Sequence, residues 1–299
     1  MSFRDKQLLV TGAGGNLGKA VVAELRRLKA KNVIAATRTP RKHQELAALG
    51  VEEREADFDR PETLQTAFQG VERLLLISTD SLHAPGVRIK QHWAAIQAAV
   101  SAGVDHVVYT SCPNAHPTKG PSIPDDHFWT EVALFESGLD WTILRNNLYA
   151  EVILRFAQFA FKTGKLASAT QSQGRSYVTR EDCARTAAAT LLNAAGKLIY
   201  DVTGPASVTH EELASILSRV SGKPIQSVNV TADEVEKGLV AAGIPQFAAR
   251  SVRELDEEAS YGYQAMVTPT VTNSPEGLPC PSATFSRRQC PHWLRNTTL

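Results

Sequence analysis

The run Leu8-Leu9-Val10-Thr11-Gly12-Ala13-Gly14-Gly15-Asn16-Leu17-Gly18 constrains the fold more than any other stretch of the chain. Apolar residues suited to a buried strand lead into glycines spaced G-x-x-G-x-x-G, and an amphipathic stretch follows directly. In a strand-turn-helix unit these glycines have separate tasks. Gly12 permits the tight turn, Gly15 lets a pyrophosphate approach the backbone, and Gly18 lets the helix pack against the strand. Asn16 and Leu17 then offer backbone N–H groups to an anion at the positive end of the helix dipole. A bare glycine triplet would mark only a turn; its flanks make this one a dinucleotide loop.

Short apolar runs alternate with longer amphipathic stretches as far as about residue 145, the pattern of repeated βαβ units. Strands are predicted over 7–11, 33–37, 52–56, 73–78, 106–110 and 141–144, and helices over 16–28, 41–49, 62–68, 87–102 and 126–137. The expected fold is α/β: a Rossmann-type doubly wound parallel sheet over 1–145, with a smaller C-terminal α+β substrate lobe over 146–273, interleaved with the first. Within that lobe a helical stretch covers 150–161, and a loop covers 170–176 whose Gly174-Arg175 is expected to fold over the cofactor. Next come a helix opened by Thr179-Arg180-Glu181-Asp182, a strand over 198–202, and a capped helix from Thr209 to Val220. Gly222 and Pro224 are its stop signals.

About 20 residues past the glycines, an NAD-selective site places a carboxylate on the adenosine ribose. This chain instead has Thr37-Arg38-Thr39-Pro40-Arg41-Lys42, with no acid between Asn32 and Gln44. The planar fork of Arg38, with charge added by Arg41 or Lys42, suits a 2′-phosphate, so NADP(H) is expected over NAD(H). A solvated basic helix start is the plain alternative, but such a start opposes the helix dipole unless an anion compensates. Asp57-Phe58 and Ser78-Thr79 fall at strand C-terminal ends, where ligands collect in this topology. Adenine and ribose contacts account for them, as does ordinary turn chemistry.

Lys+Arg 32 against Asp+Glu 31 leaves a net charge of +1, which gives no overall attraction to nucleic acid or an anionic membrane. Every apolar run is shorter than the roughly 20 residues a membrane span needs. Met1 to Lys6 carries no apolar signal region, so a cytoplasmic protein with a small-molecule partner is expected. The four cysteines, Cys112, Cys183, Cys280 and Cys290, lack the paired spacing of zinc sites, and no metal is expected. Cys112 and Cys183 are read as small, partly buried side chains.

Taken together, several segments resemble the NmrA-like group of atypical short-chain dehydrogenase/reductases, in particular its NADPH-dependent quinone oxidoreductase and triphenylmethane-dye reductase members. They are Thr11 to Gly18, Arg38, Ala56-Asp57-Phe58, Leu74 to Ser78, Ala102-Gly103-Val104 leading to Tyr109-Thr110-Ser111, His127 with Thr130-Glu131, Leu144 to Tyr149, and Ser221-Gly222-Lys223. The resemblance covers roughly 6–245 and implies hydride transfer from NADPH to a quinone or similar flat conjugated acceptor, without flavin. The tyrosine-x-x-x-lysine pair of typical short-chain dehydrogenases is missing: Tyr109 is followed four residues on by Pro113, and Val132 stands where some relatives have lysine. A quinone can take its proton from water afterwards, whereas an unactivated ketone needs a positioned acid.

Asn146 and Tyr149 match family positions beside the nicotinamide and acceptor; their plain alternatives are a helix cap and a half-buried aromatic. His127 is a candidate proton donor or acceptor contact, or a structural histidine. Phe128, Trp129, Phe156 and Phe159 either wall an aromatic pocket or fill a core. The same fold suits a non-catalytic NADP-sensing regulator, or an imine or enone reductase. From Ser274 to Leu299 neither helical nor strand period remains, and this stretch holds Cys280 and Cys290. Permitted codons read one nucleotide earlier from Asn273 spell the Gly-Arg turn and closing amphipathic helix of relatives, so 274–299 is expected to be a frameshifted tail.

Overall fold

The computed structural model describes residues 5–81, 84–120 and 122–271. Its first half runs β1 (Gln7–Val10), α1 (Asn16–Arg27), β2 (Asn32–Thr37), α2 (Gln44–Ala48), β3 (Glu52–Glu55), α3 (Pro61–Ala67), β4 (Arg73–Leu76), α4 (Val87–Ser101), β5 (His106–Ser111), α5 (Ile123–Glu136) and β6 (Asp140–Asn146). The remainder runs α6 (Ile153–Thr163), β7 (Lys165–Ser168), α7 (Arg180–Asn193), β8 (Leu198–Val202), α8 (His210–Ser221), β9 (Gln226–Asn229), α9 (Ala232–Ala241) and α10 (Gln246–Ser260). A seven-stranded sheet forms in the order β3-β2-β1-β4-β5-β6-β8, with every pairing parallel. The strand order reverses between β1 and β4, which opens a crevice at the carboxyl ends of these strands.

Parallel sheets need cover on both faces, and strand alternation supplies it. Leu8, Val10, Val33, Ala35, Leu75 and Val108 pack with α1 and α7 on one face. Leu9, Ile34, Leu74, Leu76, Val107 and Ile143 pack with α3, α4 and α5 on the other. The chain beyond Asn146 therefore returns to the main sheet, supplying β8 at its edge and α7 against α1. Arg73, at the foot of β4, donates to the carbonyls of Leu191 and Ala194, which places a cation at the C-terminal end of α7. A separate core of Ile153, Ala157, Leu166, Leu213 and Leu217 holds the smaller lobe together.

Two predicted boundaries move for local reasons. The helix predicted from 41 begins only at Gln44, because Arg41 is left-handed at φ 65°. Its N–H is held by Glu53 Oε2 at 2.8 Å. The helix predicted from 126 begins at Ile123, where Ser122 accepts the Asp125 N–H and Pro124 fits the first turn. The pair β7 and β9 was not predicted; both strands are four residues long, too short for a period to show. Neither were α9 and α10, although Thr231 and Glu234 spell a capping box in the sequence and form one in the fold. No helix among the described residues is long and apolar enough to cross a membrane. The tail, with its frameshift reading, lies outside the described residues.

Candidate active site

The glycine loop sits at the reversal point of the sheet. Gly12 turns the chain at φ 60°, a conformation that disfavours side chains. A Cβ on Gly18 would stand 2.3 Å from the Gly12 carbonyl oxygen and 2.7 Å from Ala13 Cα, so α1 lies directly on the turn. Gly15 donates to that same carbonyl at 2.9 Å, and Thr11 Oγ1 accepts Ile77 N–H at 2.9 Å, which ties the loop to the end of β4. At the start of α1, Gly15 gives no side-chain cap and the first turn has no acid. Asn16 is exposed there, while Leu17 is buried and anchors the turn. Of the other helices, α5, α7, α8 and α9 are capped by their own Ser or Thr and carry acids in the first turn, whereas α4, α6 and α10 share the bare start of α1 but not its glycine loop. Uncapped amides, an absent Cβ and the missing acid together fit a pyrophosphate.

At the end of β2, Arg38 and Lys42 are exposed. Asp57, after β3, is turned to its own loop: Oδ1 accepts Asp59 N–H at 3.1 Å and Oδ2 meets Arg60 at 3.1 Å. Burial works to raise its carboxyl, but the Asp59 amide and the Arg60 and Arg38 charges outweigh it and hold the group below the usual range. Phe58 packs against the α3 and α4 face.

Ser78 and Thr79 follow β4, and a buried polar network fixes them. Ser78 N–H donates to Thr110 Oγ1 at 2.9 Å. Thr79 is held from both sides, its N–H donating to His92 Nε2 at 3.0 Å and its carbonyl accepting Arg88 Nε at 2.8 Å. These donors decide the histidine tautomers. His92 Nε2 must accept, so Nδ1 carries the proton and donates to Thr130 Oγ1 at 2.9 Å, and that hydroxyl donates to the Asp126 carbonyl at 2.7 Å. His127 Nε2 likewise accepts from Arg88 at 3.1 Å, leaving Nδ1 to donate to Tyr109 Oη at 2.7 Å. Burial first, then the Arg88 charge, holds His92 down to about 3 and His127 well below its ordinary value, so both stay neutral. His127 is thus buried beneath the crevice with both ring nitrogens engaged. Tyr109 is wholly buried, and burial pushes its ionisation up.

At the end of β6, Asn146 is buried and its Oδ1 has no hydrogen-bond partner among the described residues. Arg145, beside it, is paired with Glu131 at 2.6 Å, and Glu131 also accepts Ser111 Oγ at 2.6 Å. Tyr149 bridges to Val178, and the Arg180 guanidinium lies 4.9 Å from its ring centre. Burial raises its hydroxyl, which the Asn146 side chain partly offsets. Beyond β5 a cavity is lined by Cys112, Pro113, Pro124, Leu255, Glu258 and Tyr263. Burial pushes the Cys112 thiol up to about 12, so it lines this cavity as a neutral group.

Other expected residues lie elsewhere. Trp129 and Phe159 are exposed, Phe128 packs edge-on to Trp129, and Phe156 packs on the core of the smaller lobe, so they do not share one pocket. Arg175 is turned inward, paired with Asp256 at 2.6 Å and with Gln264 at 2.7 Å, and so fastens its loop to α10. The sequence reading missed Arg88 and His92, because their helix places them under the crevice only once α4 packs on the sheet. It also missed Tyr263, which reaches the cavity from the far end of the described chain.

A doubly wound sheet with an open glycine cradle at its reversal point, followed by a basic stretch after β2, defines a dinucleotide-binding protein. The NmrA-like family model matches residues 4–277, and the chain belongs to that family. It is 36% identical over 258 residues to quinone oxidoreductase 2 of Escherichia coli K12, covering 85% of this chain and 88% of that one. The crystal structure of that NADPH-dependent E. coli enzyme complexed with NADPH superposes with a TM-score of 0.84 at 33% identity, covering 90% of this chain and 94% of the other. Triphenylmethane reductase of Citrobacter sp., complexed with NADP(H), gives 0.83 at 32% identity, covering 92% and 96%.

Proposed function

We propose that this chain is an NADPH-dependent oxidoreductase that reduces a quinone or similarly flat conjugated acceptor without flavin. The observation that carries this reading is the uncapped glycine cradle at the sheet reversal, with Arg38 at the end of β2 on one side and, at the end of β6 on the other, Asn146 Oδ1, which has no partner among the described residues. When bound, NADPH supplies hydride, so that NADPH, a proton and a quinone give NADP⁺ and a quinol. The chain's own residues bind and orient. Amides of the glycine loop and the first turn of α1 hold the diphosphate, and Arg38 and Lys42 select the 2′-phosphate. Asn146 aims its amide oxygen at the nicotinamide or the acceptor.

Tyr109 stands on β5 and is wholly buried. Its hydroxyl lies buried against His127, so the acceptor oxygen takes its proton from water. We assign His127 as a positioning residue that acts through Arg88 on Thr79. Catalysis rests on near-attack geometry between the nicotinamide and the acceptor. The test is anaerobic NADPH oxidation against a panel of quinones, with quinol quantified. One quinol per NADPH is expected. Tight NADPH binding with no turnover on any quinone overturns the reading in favour of a nucleotide sensor.

A further inference from the structure

We propose that His43 is a specificity-determining residue for the cofactor's 2′-phosphate, its imidazole seated between the glycine loop and the end of β2. The proposal rests on the dinucleotide reading above. Three observations on the fold carry it. First, a Cβ on Gly14 would lie 2.6 Å from His43 Nε2 and 2.7 Å from Cε1. Gly14 is not among the glycines with positive φ, so its backbone tolerates a side chain and the imidazole is what fills the space. Second, the ring is aimed by hydroxyls at the strand end. Nε2 is 3.2 Å from Thr37 Oγ1 and 3.5 Å from Thr39 Oγ1, and Thr39 N–H donates to Thr37 Oγ1 at 3.2 Å.

Third, the backbone is shaped to bring the ring there. Arg41 is left-handed, its N–H fixed by Glu53, and His43 is extended at φ −111° and ψ 94° ahead of α2. The helix is delayed until His43 has turned back over the loop. In this topology the adenosine ribose lies at the end of β2 beside the glycine loop. An imidazole there offers a ring N–H to a phosphate oxygen within a shell that already holds Arg38 and Lys42. The nearby carboxylates are occupied elsewhere: Glu45 pairs with Lys19 at 3.3 Å, and Glu53 holds the Arg41 N–H.

The probes are adenosine 2′,5′-bisphosphate and adenosine 5′-monophosphate, titrated calorimetrically into the full chain. They differ only in the 2′-phosphate, and no turnover is needed. His43→Ala should cost the bisphosphate about tenfold in affinity, near 1.4 kcal/mol, and leave the monophosphate within about twofold. His43→Gln, which keeps a donor, should recover part of the loss. Gly14→Ala keeps the imidazole but pushes a methyl into its seat, so it should reproduce the loss. Combined with His43→Ala it should add nothing further. An unchanged preference in His43→Ala, or equal loss of both probes, overturns the proposal, the second outcome marking a packing role only. If the wild-type chain binds neither probe nor NADPH, the dinucleotide reading itself has failed and the proposal falls with it.

Discussion

Replacing Gly18 by alanine probes the tightest contact of the cradle. The added methyl would stand 2.3 Å from the Gly12 carbonyl oxygen and 2.7 Å from Ala13 Cα. Comfortable contact needs about 3.5 Å, and both obstacles are backbone, so α1 must retreat by about 1 Å. It has little room to do so, because Leu17, Val21, Val22 and Leu25 on the same helix are buried in the core it shares with β1 and α7. Overpacking of this kind costs about 1–3 kcal/mol. In an unobstructed helix the same substitution would instead gain up to about 1 kcal/mol. The two accounts therefore predict opposite signs. At about 2–4 °C per kcal/mol, Gly18→Ala should lower the Tm by several degrees in scanning calorimetry. Retreat of α1 also withdraws its amides from the diphosphate, so the NADPH Kd should rise about tenfold or more. Gly15→Ala, whose Cβ meets the Gly12 oxygen at 3.3 Å, should lose less stability. An unchanged or raised Tm for Gly18→Ala with an unaltered Kd would refute the close-approach account.

Arg38→Ala should raise the Kd for NADPH about tenfold while leaving NADH within about twofold; equal losses in parallel titrations would contradict its assignment to the 2′-phosphate. Asn146→Ala should lower kcat about tenfold or more with the NADPH Kd little changed, and a pure loss of binding would remove Asn146 from the reacting centre. Stability should also fall on acidification. His92 is held down to about 3 in the fold, by burial first and then by Arg88, whereas an unfolded histidine titrates near 6.5. The unfolded chain takes up the proton sooner, so this contribution is fully present above about pH 6.5. It is lost as pH falls, by about 1.4 kcal/mol per pH unit. Protonation would put a donor on Nε2 against the Thr79 N–H. His106 and His210, both held down to about 4 mainly by burial, act in the same direction. Urea midpoints measured from pH 7 to pH 5 should fall, and a flat profile would mean that these histidines are not buried neutral.

Sequence patterns disclose best what is decided within a few residues. Glycine spacing fixed by backbone approach, alternation along β1 and the cap at Thr209 all act locally, and each is found where the sequence placed it. The buried clamp on Thr79 shows the opposite case. Arg88 and His92 stand on α4, Asp126, His127 and Thr130 on α5, and Tyr109 on β5, and nothing in their spacing along the chain announces that they meet. A histidine in a helical pattern reads the same whether it faces a substrate or a buried arginine. Only packing at the sheet face distinguishes the two, and it placed both nitrogens of His127 among protein partners. Arg175 was equally opaque: its loop was expected to fold over the cofactor, but Asp256 and Gln264, far along the chain, draw it inward.

By itself, then, the sequence determined the doubly wound sheet, the phosphate-binding turn and the basic stretch beside it, because short-range sterics and strand-helix periodicity decide these. The tertiary structure alone decided which buried polar side chains are paired within the protein. Buried donors and acceptors must pair across elements far apart in the chain; among the described residues Asn146 Oδ1 was left without a partner while both nitrogens of His127 were engaged. The seat of His43 was decided at the same level, by the single left-handed residue that turns it back onto Gly14.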